Sequence, residues 1–178
     1  AGQADYVPEG NNCCRLSPLK DGNADANWII RTKVTIRLPP NQVNQPPTAA
    51  TVPIIRLAVN QPWTYQFPVT DPDGHVISFG LAVTADSGLP NPAPILPSSG
   101  PGKFSLTTLG VATWTPPAVG LYAIQVRVTD VPLGAYTVVE VNLSVESSVE
   151  LPPVVQIDGS TSWENIIDLP CQTVTFSL

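Results

Sequence analysis

The chain has 178 residues, a net charge of −6 and 43% hydrophobic residues, with 21 prolines and only 12% charged residues. That much apolar content excludes disorder, which needs low hydrophobicity and high net charge, and that much proline excludes a helical bundle. An acidic chain lacks the Lys and Arg that would neutralise phosphates, so nucleic acid is not an expected partner; no run approaches the ~18 apolar residues of a membrane-inserted helix.

In chain order, the first landmark is Cys13-Cys14. With Cys171 they make an odd set, and bridging two adjacent cysteines would strain the backbone. Disulfide partners outside this segment, or in another copy, are therefore expected, and their identity is unknown. Residues 28–38 then alternate strictly: Trp28, Ile30, Thr32, Val34, Ile36 and Leu38 share one face, and Arg31, Lys33, Thr35 and Arg37 the other. Period two predicts a half-buried strand. Shorter strands are predicted at 53–58, 63–68, 76–83, 103–107 and 111–115. Turn signals such as Asp71-Pro72-Asp73-Gly74 and Pro116-Pro117 separate them. Residues 120–130 alternate again, with Tyr122, Ile124, Val126 and Val128 inward. So do residues 136–146, with Val139, Val141, Leu143 and Val145 inward and Glu140, Asn142 and Ser144 outward. No proline-free stretch has apolar residues at helical spacing. The fold class is all-β, an antiparallel sandwich.

Two Pro-Pro joints, Pro46-Pro47 and Pro152-Pro153, divide the chain. Each is followed by an apolar stretch and then a similar strand: Thr64-Tyr65-Gln66-Phe67 after the first, Thr173-Val174-Thr175-Phe176 after the second. Tandem modules with incomplete flanks are predicted. Residues 1–43 are read as the last strands of a preceding β domain, 44–148 as a complete sandwich, and 149–178 as the opening strands of a following module. The polypeptide is expected to continue past Leu178, or another chain to complete that sheet.

Three stretches carry a family resemblance: Tyr65-Gln66-Phe67-Pro68-Val69-Thr70-Asp71-Pro72-Asp73-Gly74, Gly110-Val111-Ala112-Thr113-Trp114-Thr115-Pro116, and Gly120-Leu121-Tyr122-Ala123-Ile124-Gln125-Val126-Arg127-Val128-Thr129-Asp130. In their order and spacing, residues 62–146 resemble the cadherin-like and immunoglobulin-like modules of secreted and surface proteins, the dystroglycan-type domain among them. The resemblance implies a seven-stranded sandwich with a non-catalytic role in extracellular adhesion or scaffolding. It also implies that the turn after the second strand and the end of the next-to-last strand meet at one pole. Asp71, Asp73 and Asp130 would converge there and hold Ca²⁺, with the side-chain carbonyl of Asn44 as a further ligand. The alternative is a bare turn without metal. The family often has an Asp where this chain has His75, and His75 is read as a solvated turn residue.

Other chemistry is sparse. A Ser-His-Asp triad would have to use His75, and no Gly-x-Ser-x-Gly elbow presents a nucleophile. Gly100-Pro101-Gly102-Lys103 is not a phosphate loop, because the spacing is wrong and Pro101 has no N–H. An enzyme is not expected. Asn142-Leu143-Ser144 is a glycosylation sequon with its Asn on an outward face. Trp28, Trp63 and Trp114 are read as core, and Trp163 as packing at a module joint. These features predict a structural or adhesive segment of a long extracellular protein, one that could assemble into a surface filament or matrix. Its partners would be neighbouring modules or other copies of the protein, with glycans besides. The alternative is an accessory carbohydrate-binding module of a secreted enzyme. Coplanar exposed aromatics on one sheet face would favour that second reading.

Overall fold

The computed structural model describes residues 3–37, 42–90, 97 and 99–147. The N-terminal part holds β1 (Gln3–Tyr6), β2 (Glu9–Asn12), β3 (Trp28–Arg37) and β4 (Gln42–Asn44). Next come β5 (Thr48–Ala49), β6 (Ile54–Ala58), β7 (Trp63–Gln66), β8 (Val69–Thr70), β9 (Ile77–Leu81) and a single helical turn, α1 (Thr84–Ser87). The last strands are β10 (Ser105–Leu106), β11 (Val111–Trp114), β12 (Gly120–Asp130) and β13 (Tyr136–Glu146). Residues 149–178, read from the sequence as the start of a further module, lie outside the described residues, as does Trp163.

The architecture is an all-β sandwich. One layer is the ribbon β6-β13-β12-β9, and the facing layer is β10-β11-β7, with the small pair β5-β8 beside it. The period-two pattern explains the core. Tyr122, Ile124, Val126 and Val128 of β12 and Val139, Val141, Leu143 and Val145 of β13 face the other sheet. There they meet Phe67, Phe104, Ala112 and Trp114. Burying each large aliphatic side chain contributes about 1.5–3 kcal/mol. Trp114 meets Tyr122 edge-on, with centroids 5.0 Å apart, and the Tyr122 hydroxyl donates to the Ala118 carbonyl at 3.0 Å. That bond fixes the chain where it crosses between the sheets. Gly110 has φ 84°, and a Cβ there would come within 2.8 Å of the Phe79 ring, so both the turn and the close approach require glycine. One ladder is not antiparallel. β6 runs parallel to β13, from Asn142↔Ile54 to Glu146↔Ala58.

The outward face of β12 and β13 is covered as well. Ala123 and Gln125 alternate as if for solvent, yet both are buried. Leu19 and Leu89 close over Ala123. Arg15, itself buried, meets Glu140 with Nη2 to Oε2 at 2.7 Å and donates to the carbonyls of Asn27 and Ser87. Gln125 Nε2 donates to Glu140 Oε2 at 2.5 Å and to the Ile29 carbonyl at 3.3 Å. The segment from Arg15 to β3 is therefore laid across the sheet. β3 joins it edge-on at Tyr136↔Lys33 and Thr137↔Thr32, while the core between the two sheets is drawn from residues 49–145. Ile30, expected on an inward face, is exposed, because that face of β3 borders a groove. No helix among the described residues is long and apolar enough to cross a membrane.

Candidate metal centre

Three pieces of chain meet at one pole of the sandwich. The first is the turn after β8. Asp71-Pro72-Asp73-Gly74 closes with the Gly74 N–H donating to the Asp71 carbonyl at 3.1 Å, and Gly74 takes φ 75°, as its type and position demand. The Asp71 side chain folds back into the turn. Its Oδ1 accepts the N–H of Asp73 at 2.9 Å and of His75 at 3.2 Å. This local geometry buries the Asp71 carboxylate and turns the His75 imidazole inward.

The second piece is the end of β12, where Asp130 pairs with Ile77 of β9 and is buried. The third is Asn44, held at the pole because β4 pairs with β3. Asn44 Nδ2 donates to Asp130 Oδ2 at 2.7 Å. His75 Nδ1 lies 3.2 Å from the same oxygen and 3.8 Å from Asp71 Oδ1. Asp71, His75 and Asp130 each offer a ligand atom, all within 4.8 Å of one another.

The charge balance of this cluster is incomplete. The Asp71 and Asp130 side chains are 1% and 0% exposed. Burying a carboxylate costs several kcal/mol unless it is paired and fully hydrogen-bonded. Among the described residues, the His75 imidazole is the one basic group within salt-bridge distance of either. Three buried oxygens at this pole, Asn44 Oδ1, Asp71 Oδ2 and Asp130 Oδ1, have no hydrogen-bond partner among the described residues. The buried Asp86 is a contrast in the same molecule. It meets Arg127 at 3.1 Å and Arg31 at 3.5 Å, and accepts from the Tyr136 hydroxyl. Asp86 is neutralised by protein groups, whereas the polar cluster has the donor set of a cation site.

The structure brings Asp71, Asp130 and Asn44 together but leaves Asp73 out. Asp73 is exposed, and its carboxylate accepts the Gln45 N–H at 2.7 Å and Gln45 Nε2 at 3.4 Å. At the third position of the turn its side chain points away from the pole and ties down the linker instead. His75, expected in solvent, takes the inward place. The hydrogen bond from the His75 N–H to Asp71 Oδ1 sets that placement.

The remaining candidates lie elsewhere. The sulfurs of Cys13 and Cys14 lie next to each other, and Cys171 is outside the described residues. Asn142 is half-buried, in a groove of about 280 Å³ that it shares with Leu16, Trp28 and Ile30. Trp63 and Tyr65 are stacked, with planes 8° apart and centroids 5.7 Å apart. Both are half-buried and pack on the core, so they do not form an exposed platform. Burial holds the Tyr65, Tyr122 and Tyr136 hydroxyls above the ordinary tyrosine pKa.

No family model matches the chain. Over 146 residues, 78% of the chain, it is 28% identical to integrin beta-like protein A of Dictyostelium discoideum. It is 28% identical to integrin beta-like protein E of the same organism over 141 residues, 76% of the chain, and 29% identical to integrin beta-like protein B over 148 residues, 81% of the chain. The similarity runs through most of this chain but spans only 7%, 6% and 7% of those relatives' lengths.

Proposed function

We propose that this chain is a non-catalytic, adhesion-type segment of an extracellular protein, with a divalent cation locking the pole where the linker enters the sandwich. The observation that carries the adhesive reading is the similarity to several integrin beta-like proteins across about three quarters of the chain. The fold supports it. Sandwich modules of this size are common in surface proteins, and the linker is fastened at Asn44–Asp130 and Gln45–Asp73 rather than left loose. A cation bound by Asp71, His75, Asp130 and the Asn44 carbonyl would join the linker, the turn and β12 in one place. The site then has a mechanical role, fixing the direction in which the preceding chain leaves. The aromatic pair at Trp63 and Tyr65 belongs to the core, so the carbohydrate-platform alternative gains no support from it.

An antibody raised against this segment tests the reading. It should label intact cells that make the protein and reduce their attachment to a substratum. Labelling only after permeabilisation, or unchanged attachment at saturating antibody, would refute it.

A further inference from the structure

We infer that the polar cluster selects a cation that accepts nitrogen, Zn²⁺, over Ca²⁺. The inference rests on the cation reading above and identifies the ion. Ca²⁺ takes six to eight oxygen ligands. Two carboxylates and one imidazole supply the converging donors, Asp71, Asp130 and His75, and Asn44 reaches the same pole through its Nδ2 bond to Asp130. Asp73, the carboxylate that would have enlarged the oxygen count, is spent on Gln45. With the Asn44 carbonyl or a water as the fourth, these donors match the number and type that Zn²⁺ takes in a tetrahedral site. The spacing agrees. Bonds of about 2.1 Å in a tetrahedron put donors about 3.4 Å apart, and one ligand atom each of Asp71, His75 and Asp130 already lies within 4.8 Å of the others.

Cluster geometry alone would be weak, since carboxylates gather on many surfaces without an ion. The second observation is independent of it. Asp71, Asp130 and Asn44 each keep a buried oxygen without a partner among the described residues. Unsatisfied polar atoms at three positions of one pole, each on a different piece of chain, are groups that one electrophile would satisfy together. The rest of the shell is already positioned. Asp71 Oδ1 is held by two backbone N–H groups and Asp130 Oδ2 by Asn44, the kind of outer hydrogen bonding that orients metal ligands.

The test uses the full chain, stripped with a chelator and titrated separately with Zn²⁺ and Ca²⁺. Affinity is read by competition with a chromophoric chelator, and stabilisation by thermal melting. Wild type should bind Zn²⁺ at least about 100-fold more tightly than Ca²⁺, and Zn²⁺ should raise its midpoint. His75→Ala should weaken Zn²⁺ by at least about 10- to 100-fold and leave any Ca²⁺ response unchanged. His75→Asp, which exchanges the nitrogen for a carboxylate, should reverse the preference toward Ca²⁺. Wild type that prefers Ca²⁺ would overturn the Zn²⁺ assignment and leave the cation lock standing. Zn²⁺ binding equally tight in wild type and His75→Ala would overturn the assignment by placing the ion elsewhere. No response to either ion in any variant would overturn both.

Discussion

Arg15 is a direct test of how the N-terminal segment is held. Its side chain is 3% exposed against 18% for Glu140, at 2.7 Å, and it also serves the carbonyls of Asn27 and Ser87. Removing one partner of a buried ion pair costs about 3–5 kcal/mol. Glu140 keeps some contact with water, so Arg15→Met should fall at the low end, about 3 kcal/mol. The double variant Arg15→Met/Glu140→Leu removes the stranded charge and leaves chiefly the two carbonyls, about 1 kcal/mol each when orphaned. It should therefore cost about 2 kcal/mol, less than the single substitution. The assay is urea unfolding of the full chain. With slopes of about 1–3 kcal/mol per molar, Arg15→Met should lower the midpoint by at least about 1 M. A loss below about 0.5 kcal/mol would place the pair among exposed surface ion pairs and refute a segment locked to the sheet. So would a double variant costlier than the sum of the two singles.

Tyr122→Phe should cost about 1 kcal/mol by leaving the Ala118 carbonyl without its donor, measured as a lower urea midpoint with an unchanged slope; a cost near zero would remove the bond's structural role. Gly110→Ala should cost about 1–3 kcal/mol from overpacking against Phe79, with more from the positive φ, and a neutral result in the same assay would contradict the close approach. Stability should fall above about pH 10, where unfolded tyrosines ionise. Tyr65, Tyr122 and Tyr136 hold their protons to higher pH in the folded chain, so the native state binds more protons than the unfolded state there and the slope of stability with pH is negative. A urea midpoint unchanged between about pH 9 and pH 11 would refute that sign.

The long strands were legible because one face of each is apolar. The alternation at 28–38, 120–130 and 136–146 corresponds to β3, β12 and β13 almost residue for residue. β1 and β2, Gln3–Tyr6 and Glu9–Asn12, have no such alternation; they exist because β3 offers backbone partners, and pairing alone leaves no periodic trace. The covering of Ala123 and Gln125 was equally invisible. A small residue and an amide look the same on a wet face as under Leu19 and Ile29. At the pole, Asp71 and Asp130 could be named from their motifs. Which of Asp73 and His75 would turn inward could not, because that depends on the backbone hydrogen bonds that Asp71 Oδ1 makes within a five-residue turn.

The parallel ladder between β6 and β13 has a consequence for a chain under load. Tension entering β6 at Ile54 and leaving β13 past Glu146 pulls the two strands along their own lengths in opposite directions. The pairs from Asn142↔Ile54 to Glu146↔Ala58 then carry the force side by side and must give way together. A hairpin such as β12-β13, pulled from its open end, would unzip one pair at a time. The β12-β13 and β12-β9 ladders lie behind this one and are shielded until it shears. The module would behave as a stiff link up to a threshold force and extend abruptly beyond it.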